Sequence, residues 1–390
     1  MADRTFFRAL GPGLLFAGAA IGVSHLVQST RAGAVFGLGL VAFVLLANLF
    51  KYPAFSFGPR YAAATGTSLL EGYRRQGVWA LVVYALLTAG TMFTVQAAVT
   101  IVTAGLLKAA GGLEISAPMI ALVLTIACAG VLALGGYRWL DRIMKVVVVV
   151  LTVSTVAATV LAIPKVDWGG ATWFPSGESW NPETFFFIAA LVGWMPSAID
   201  ISVWHSLWTL ARRQDSGHAP TVREAMLDFN IGYLGTALLA LCFLLLGAAV
   251  MHGSGATFQD SAARFAYQVI DLYRQTLGDW SAPLIAVCAT TVMISTTLTV
   301  IDGFPRAIAT LWDRFHRPED PAAADVTPVN RRVYWFALAL LGAGSVLLIF
   351  QFLTSLKSLV DLATRQIVAT NLDADAVERQ LFSSDLTASQ

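Results

Sequence analysis

The stretch FFFIAALVGWMPSAIDISVWHSLWTLA, residues 185–211, is long and apolar enough to cross a bilayer, which takes about 20 apolar residues. Its middle carries Met195 and Pro196, followed by Asp200 and His205. Proline removes a backbone hydrogen bond that lipid cannot replace, so such a break is tolerated only where the freed backbone lines a cavity or is buried in protein. The stretch therefore predicts a discontinuous helix with a binding site at its break.

The composition of the chain places it among polytopic membrane proteins. Of its 390 residues 57% are hydrophobic and only 13% are charged, whereas soluble domains carry about 25% charged residues. We expect one transmembrane domain over residues 1–390, with the lipid bilayer as its main partner. No basic cluster suggests a nucleic-acid partner, and the sequence does not indicate an oligomeric state. The three cysteines fall in apolar segments without CxxC spacing, which is typical of packed thiols.

The apolar segments predict nine membrane spans and a weaker tenth one. The tenth candidate starts near residue 355 but is interrupted by charged residues and is followed by a polar tail, residues 371–390. Residues 252–280 contain an amphipathic stretch expected on the outer face, and residues 312–330 are expected to form a flexible inner connector. The nine spans are 11–30, 33–58, 78–107, 117–135, 142–163, 184–211, 226–251, 281–311 and 332–353.

The distribution of arginine predicts the orientation of the chain. With the N-terminus in the cytoplasm, the arginine pairs at 74–75, 212–213 and 331–332 all fall on the inner side, while the opposite loops are poor in basic residues. This is the positive-inside pattern. We therefore expect a multi-pass protein of the cell membrane with a cytoplasmic N-terminus.

An odd number of spans in each half predicts two repeats of opposite topology. Residues 11–163 would form the first repeat and residues 184–370 the second, with a degraded last span. The first span of each half carries an interruption: Met195 and Pro196 in span 6, and the small-residue run GAAIGVSH, residues 18–25, in span 1. Paired interruptions at corresponding positions are typical of a binding site at the bilayer midplane.

Several motifs together resemble the Nramp divalent-metal transporters over about residues 9–360. The resemblance implies an inverted-repeat, all-α membrane fold of ten or more helices with spans 1 and 6 broken, and metal ions as substrates. The motifs are GPG at 11–13, RAGAVFG at 31–37, ANL at 47–49 with Arg60 and Thr65-Gly66, MP at 195–196, and STTLT at 295–299.

The resemblance also implies a set of site residues, with departures. The family's metal-binding Asp and Asn of span 1 fall on Gly22 and His25, and its methionine matches Met195. Val192 stands at the position of a backbone-carbonyl ligand, and Ser197 replaces a histidine. Members of the family also carry acids in span 3 for proton transfer, where this chain offers Gln96 as a polar residue.

The residue types suggest a soft, nearly neutral metal site. His25 and Met195 are donors for soft metals, and Asp200 would add one negative charge if it turned inward. We therefore predict that substrate is bound by Gly22, His25, Val192, Met195, Ser197 and Asp200, with His25, Met195 and Asp200 as the metal ligands.

Asp200 inside a span is also a candidate for ion or proton coupling. Gln96, His205 and Asp302 are further candidates for coupling or gating. His205 and Ser206 are expected to line the inner vestibule. Asp302 is expected to end span 8 and to form a salt bridge there.

An organic substrate is the alternative. The backbone amides at 197–199 begin the second half of span 6, and a helix N-terminus favours carboxylate. Trp194 and Trp204 would form an apolar wall. The loss of a carboxylate at Gly22 enlarges the site and lowers its charge, which fits a hydrated ion or a small organic solute such as an amino acid.

The sequence thus favours a secondary transporter of a divalent metal cation that works by alternating access, with or without protons. A transporter of an organic solute with the same fold is one alternative, and a non-transporting membrane sensor or assembly protein is another. No cofactor is expected other than a metal ion as substrate. The absence of nucleophile–base sets and of a Walker motif argues against an enzyme and against an ATP-driven pump.

Overall fold

The computed structural model of the chain describes residues 11–134, 137–175, 177, 180–253, 262–318 and 330–351, with the side chains of 137–147, 262–263, 277 and 288 left aside. Within these ranges all the regular structure is helical. The predicted tenth span and the tail 371–390 lie outside the described residues, and so does most of the connector 312–330. The division into two repeats stays a prediction.

The described residues form thirteen α-helices. A π-helix, Val23–Ser29, lies between α1 and α2, and a 3₁₀ turn, Ile163–Lys165, follows α7. The helices are α1 Pro12–Ala20, α2 Thr30–Phe36, α3 Val41–Thr65, α4 Leu69–Gln76, α5 Val78–Gly111, α6 Ala117–Ala133, α7 Tyr137–Ala162, α8 Pro182–Trp194, α9 Asp200–Ser216, α10 Val222–Val250, α11 Ala262–Leu277, α12 Ser281–His316 and α13 Arg331–Gln351.

The nine predicted spans all have counterparts among these helices. Seven segments of the described chain are long and apolar enough to cross a membrane, the first of them being the interrupted helix Pro12–Phe36. The shorter apolar helices α6 and α8 supply the fourth span and the first half of the sixth. The predicted all-α membrane fold is therefore present from span 1 to span 9.

The predicted start of span 2 at residue 33 is wrong. Residues 33–36 belong to α2 and hence to span 1, and α3 begins only at Val41. Gly37 adopts a left-handed φ of 57° and ends α2, since glycine enters this region without strain. Hydropathy could not place the turn because residues 32–47 contain no polar side chain. Span 2 also runs further than predicted, to Thr65.

Span 8 is longer than predicted as well. Helix α12 continues to His316, so residues 312–316 are helical rather than part of a flexible connector. Asp302 therefore lies inside the helix and does not end it. Its carboxylate accepts two hydrogen bonds from Arg306, one turn later, and this pairing lets both charges stay within one helix.

The amphipathic stretch forms α11, as expected, and buries its apolar face in the protein. Phe265, Val269 and Tyr273 are buried, and the Tyr273 hydroxyl lies 2.8 Å from Thr155 Oγ1 of α7. Helix α11 packs against α5, α7 and α12. It is therefore part of the bundle and not only a surface segment.

Glycines bring span 1 into close contact with α10. A Cβ at Gly13 would collide with the backbone carbonyl of Asp228, and a Cβ at Gly33 would collide with that of Leu244. Such small-residue contacts are typical of helix pairs in membranes, where close backbone approach supplies the packing energy. These contacts hold span 1 against α10 on both sides of its interruption.

Candidate functional site: two interrupted helices at a neutral cavity

The two predicted interruptions are present and lie next to each other. Helix α1 ends at Ala20 and helical structure resumes at Val23, while α8 ends at Trp194 and α9 begins at Asp200. Helix α9 packs against α1, and α8 packs against the π-helix. Each half of span 6 therefore packs against one half of span 1, and the two breaks lie side by side in the interior of the bundle.

The break in span 6 follows from Pro196. The Met195 amide donates to the carbonyls of Leu191 and Val192 at 3.0 and 3.3 Å, and the next residue has no N–H to continue the ladder. Lys51 of α3 supplies donors instead: its Nζ lies 2.7 Å from the Val192 carbonyl oxygen and 2.8 Å from that of Gly193. Sequence reasoning missed Lys51, although a lysine inside the apolar run LLANLFKYPAF was a visible signal.

The break in span 1 is held by α12. Thr296 Oγ1 lies 2.7 Å from the Gly18 carbonyl oxygen and 3.2 Å from that of Ile21, so a neighbouring helix satisfies the carbonyls released at the break. A Cβ at Gly22 would lie 2.9 Å from the Thr296 methyl. The predicted site residue Gly22 is therefore packed on Thr296, and the interruption is only two residues long.

A small cavity lies between the two breaks, among spans 1, 3, 6 and 8. The space open to the centre of a water molecule is about 20 Å³, room for roughly one or two waters. Its hydroxyl groups come from Ser24, Ser197 and Thr296, and none of the described residues that line it has an ionisable side chain. Trp194, Trp204 and Phe304 form the aromatic wall, of which the two tryptophans were predicted.

His25 is fully buried and links span 1 to α10. Its Nδ1 lies 2.7 Å from Ser24 Oγ, and its Nε2 lies 2.9 Å from the Thr236 carbonyl oxygen. Because a carbonyl only accepts, Nε2 carries the proton. Both ring nitrogens are thus occupied, so the imidazole would have to leave one of these contacts to bind a metal.

Asp200 and Met195 have separate partners. Asp200 is buried at the start of α9 and accepts a hydrogen bond of 2.9 Å from Thr88 Oγ1 of α5. Met195 is buried in a cluster with Val44 and Leu191, and its sulfur lies 4.0 Å from Ser29 Oγ. In the structure Asp200 therefore contacts span 3, whereas Met195 contacts span 1.

The proposed metal ligands are not assembled in this conformation. His25 contacts α10, Met195 the π-helix and Asp200 α5. Among the residues that the structure describes, no group of three or more His, Cys, Asp or Glu is arranged to hold a metal ion. Ser197 lies on the cavity, whereas Val192 presents its carbonyl to Lys51. The metal site stays a prediction.

The coupling candidates are all buried within the bundle. Gln96 donates from Nε2 to Thr100 Oγ1 at 2.9 Å, while its Oε1 has no partner. Asp302 pairs with Arg306, as predicted, and also accepts a hydrogen bond of 2.8 Å from Tyr334 of α13. Their roles in coupling stay predictions.

His205 does not line an open vestibule as expected. It is 1% exposed, its ring contacts those of Phe16 and Phe229, and neither ring nitrogen has a hydrogen-bond partner. Ser206 is fully buried too, and its Oγ accepts a hydrogen bond from the Leu69 amide. Phe16 of α1 and Phe229 of α10 pack on His205, and the start of α4 contacts Ser206, so neither residue faces an open space in this conformation.

Two interrupted helices that cross at an interior cavity define the class: a helical membrane protein built like a secondary transporter. Residues 13–364 match the family model "Nramp: Natural resistance-associated macrophage protein-like", and the chain belongs to this family. The family resemblance seen in the sequence is thereby confirmed.

The relatives include an uncharacterized protein of Pasteurella multocida, 40% identical over 302 residues that cover 77% of this chain and 69% of the relative. A divalent metal cation transporter MntH of Xanthomonas campestris is 24% identical over 64% of this chain and 57% of its own length. The MntH of Latilactobacillus sakei is 23% identical over 80% of this chain and 71% of its own length.

Solved structures confirm the fold class. The manganese transporter of Eremococcus coleocola, in complex with an aromatic bis-isothiourea compound, has a TM-score of 0.63 at 17% identity, covering 95% of this chain and 77% of that one. Mhp1, a nucleobase-cation-symport-1 family transporter with bromovinylhydantoin bound, has a TM-score of 0.56 at 16% identity. The match covers 91% of this chain and 74% of Mhp1. At these identities the likeness shows the fold alone.

Proposed function

We propose that this chain is a secondary transporter that moves a divalent metal cation across the cell membrane by alternating access. The observation that carries the proposal is the meeting of the two interrupted spans at an interior cavity in a chain of the Nramp family. The names of the MntH relatives and of the manganese transporter give the substrate class. With the N-terminus in the cytoplasm, α4 and the start of α1 lie on the inner side.

Polar contacts at that inner end are candidates for the contacts that alternating access would break. The amides of Gly11 and Gly13 donate to the Asp228 carboxylate at 3.1 and 2.6 Å, which ties the start of α1 to α10. Arg314 of α12 lies 3.8 Å from Glu71 of α4, and both side chains are buried. Opening to the cytoplasm would break the first of these contacts, since α1 covers the cavity from that side.

A neutral cavity suits a metal ion that keeps part of its water shell. The hydroxyl groups of Ser24, Ser197 and Thr296 offer oxygen ligands without charge. Magnesium-like ions retain several waters and need few direct protein ligands. The present space takes only one or two waters, so a partly hydrated ion requires the cavity to widen, and Asp200, the first residue of α9 after the break, would supply negative charge on rearrangement.

Uptake into proteoliposomes tests the proposal. We expect saturable uptake of manganese or magnesium along a metal or proton gradient, abolished by Asp200→Ala. Gly22→Asp, combined with Thr296→Ser to make room, would strengthen metal binding because it adds a carboxylate at the break. Calorimetry that detects no binding of manganese, iron, cobalt, zinc or magnesium by the wild-type protein would overturn a metal substrate.

A small organic solute is the second candidate; the chemistry of the cavity lining favours it, and the present space of about 20 Å³ would have to widen to admit it. Trp194, Trp204 and Phe304 form an aromatic wall, and the start of α9 offers backbone amides to a carboxylate. Amino-acid uptake that is lost in Trp204→Ala while metals have no effect would establish this function. Uptake of neither class under any gradient would favour a non-transporting membrane protein.

A further inference from the structure

Lys51 places a positive charge at the break of span 6. It lies within the span Val41–Thr65, and its half-buried side chain reaches the carbonyl oxygens of Val192 and Gly193 at 2.7 and 2.8 Å. A lysine inside a membrane span is costly unless its ammonium group finds partners, and it marks a functional position by default. These two carbonyls are partners of the required kind.

The sequence explains why those carbonyls are available. In an unbroken helix the carbonyl of Val192 would accept from the amide of residue 196, which is a proline and has no N–H. The carbonyl of Gly193 would accept from Ser197, which lies outside both half-helices. The end of α8 therefore presents two carbonyl oxygens together with the negative end of a helix dipole, a combination that favours a cation.

The same oxygens are suited to a metal ion. Backbone carbonyls are ordinary ligands of hard divalent cations, and Val192 and Gly193 directly precede Trp194, whose side chain lines the cavity. An ion that enters the cavity and moves toward α8 would meet the ammonium of Lys51 at these oxygens. Two cations cannot share them without strong repulsion.

We propose that the Lys51 ammonium group competes with the substrate ion for the carbonyl oxygens of Val192 and Gly193. This inference rests on the proposed transport of a divalent cation. Lys51 occupies the position in the conformation described here, and an arriving ion displaces its ammonium group. The residue weakens the binding of metal ions and gives α3 and α8 a contact that substrate binding breaks.

The test compares Lys51→Gln, which retains a hydrogen-bond donor but loses the charge, with Lys51→Arg, which retains both. Lys108→Gln is the matched control, because Lys108 also donates to a backbone carbonyl, that of Ile115 at 2.7 Å, but at an exposed position. We expect Lys51→Gln to bind manganese about tenfold more tightly or better, from removal of one repelling charge. Lys51→Arg and Lys108→Gln should bind like the wild type, and equal affinity in all four proteins would overturn the inference.

Thermal unfolding of the purified proteins tests, without requiring transport, whether Lys51 competes with cations or only caps the helix. Manganese, magnesium or sodium ions should raise the melting temperature of Lys51→Gln more than that of the wild type or of Lys108→Gln. If none of these cations does so, Lys51 only caps the helix and the inference fails. Absence of metal uptake by the wild type would overturn the proposed function alone, because the melting comparison does not require transport.

A measurement on the wild-type protein covers the case in which Lys51→Gln does not fold. Displaced from its carbonyls, the Lys51 amine should react faster with a small acylating reagent when manganese is present, as followed by mass spectrometry. The rate at Lys108 should not change. Equal labelling of Lys51 with and without manganese, in protein that binds the metal, would contradict displacement.

Discussion

The two interrupted spans differ in what interrupts them and in what holds them open. In span 6 a proline removes a donor, the helix stops for five residues, and a lysine from α3 serves the released carbonyls. In span 1 a glycine packs on Thr296, helical structure resumes after two residues, and threonine and histidine contacts fix the segment to α12 and α10. The break in span 6 follows from the proline itself, which lacks a backbone N–H. The break in span 1 depends on contacts with neighbouring helices.

This difference assigns different roles to the two breaks. Span 6 carries the charged groups, Asp200 on one side and the Lys51 contact on the other, so it can respond to the charge of a substrate. The break in span 1 has neutral, fully buried contacts from Thr296 and His25 and serves as a packed wall of the cavity. Substitutions in span 6 should therefore affect transport first, and those in span 1 should affect stability first.

The largest effect is expected from Asp200→Asn. The amide keeps the size of the side chain and an acceptor for Thr88 but loses the charge, so we expect gradient-driven uptake to fall by about a hundredfold or more, as when an essential proton-transfer group is removed. Folding should be retained, as judged by gel filtration in detergent. Asp167→Asn, at an exposed position, is the control. Uptake that survives Asp200→Asn would refute a coupling role for this acid.

His25→Ala should chiefly destabilise the protein. It deletes a fully buried ring and leaves the Thr236 carbonyl without its partner, which corresponds to about 2–4 kcal/mol. His316→Ala is the matched control, since His316 also contacts a backbone carbonyl but is exposed. Melting temperatures in detergent measure the difference. Loss of metal binding without loss of stability would instead make His25 a ligand and erase the contrast between the breaks.

Gly22→Ala should have a smaller effect on stability. The added methyl group meets the Thr296 methyl at 2.9 Å, and overpacking of this kind costs about 1–3 kcal/mol. Thr296→Ser removes the opposing methyl but keeps the hydroxyl, so the double variant should recover part of the loss. Gly90→Ala, where a Cβ meets nothing within 4 Å, is the control. An unchanged melting temperature in Gly22→Ala would show that this break is looser than its contacts suggest.

Met195→Leu should be the mildest change. Leucine conserves volume and packing in the cluster around Met195, at a cost under about 1.5 kcal/mol, and removes only the sulfur. If Met195 is a soft ligand, cadmium uptake should fall while magnesium uptake is retained. Met119→Leu, on an exposed face of α6, serves as control. Equal loss for both metals would mean that the sulfur does not select among ions.

Sequence patterns predicted most of the fold because hydropathy and proline act locally. The nine spans and the break at Pro196 needed nothing beyond the residues themselves. The turn at Gly37 was missed, since the apolar run continues through it and only the backbone conformation marks the end of α2. The length of α12 was missed because residues 312–316, WDRFH, are mostly polar and were assigned to the connector, although they continue the helix.

The candidate site was predicted only in part. Ser197, Trp194 and Trp204 reach the cavity, whereas His25, Met195 and Asp200 each contact a different element. Side chains close together in sequence point in different directions once a helix is broken, so spacing could not predict their partners. Lys51 lies about 140 residues before its partners, a separation that one sequence cannot bridge.

By itself, the sequence determined that this chain is a membrane protein, that its sixth span breaks at Pro196, and that it resembles the Nramp family. These properties follow from local chemistry: apolar side chains partition into lipid, and proline lacks an N–H. Only the tertiary structure decided which groups satisfy the broken backbone: Thr296 for span 1 and Lys51 for span 6. A released carbonyl takes whichever donor packing brings within about 3 Å, and that choice depends on helices far apart along the chain.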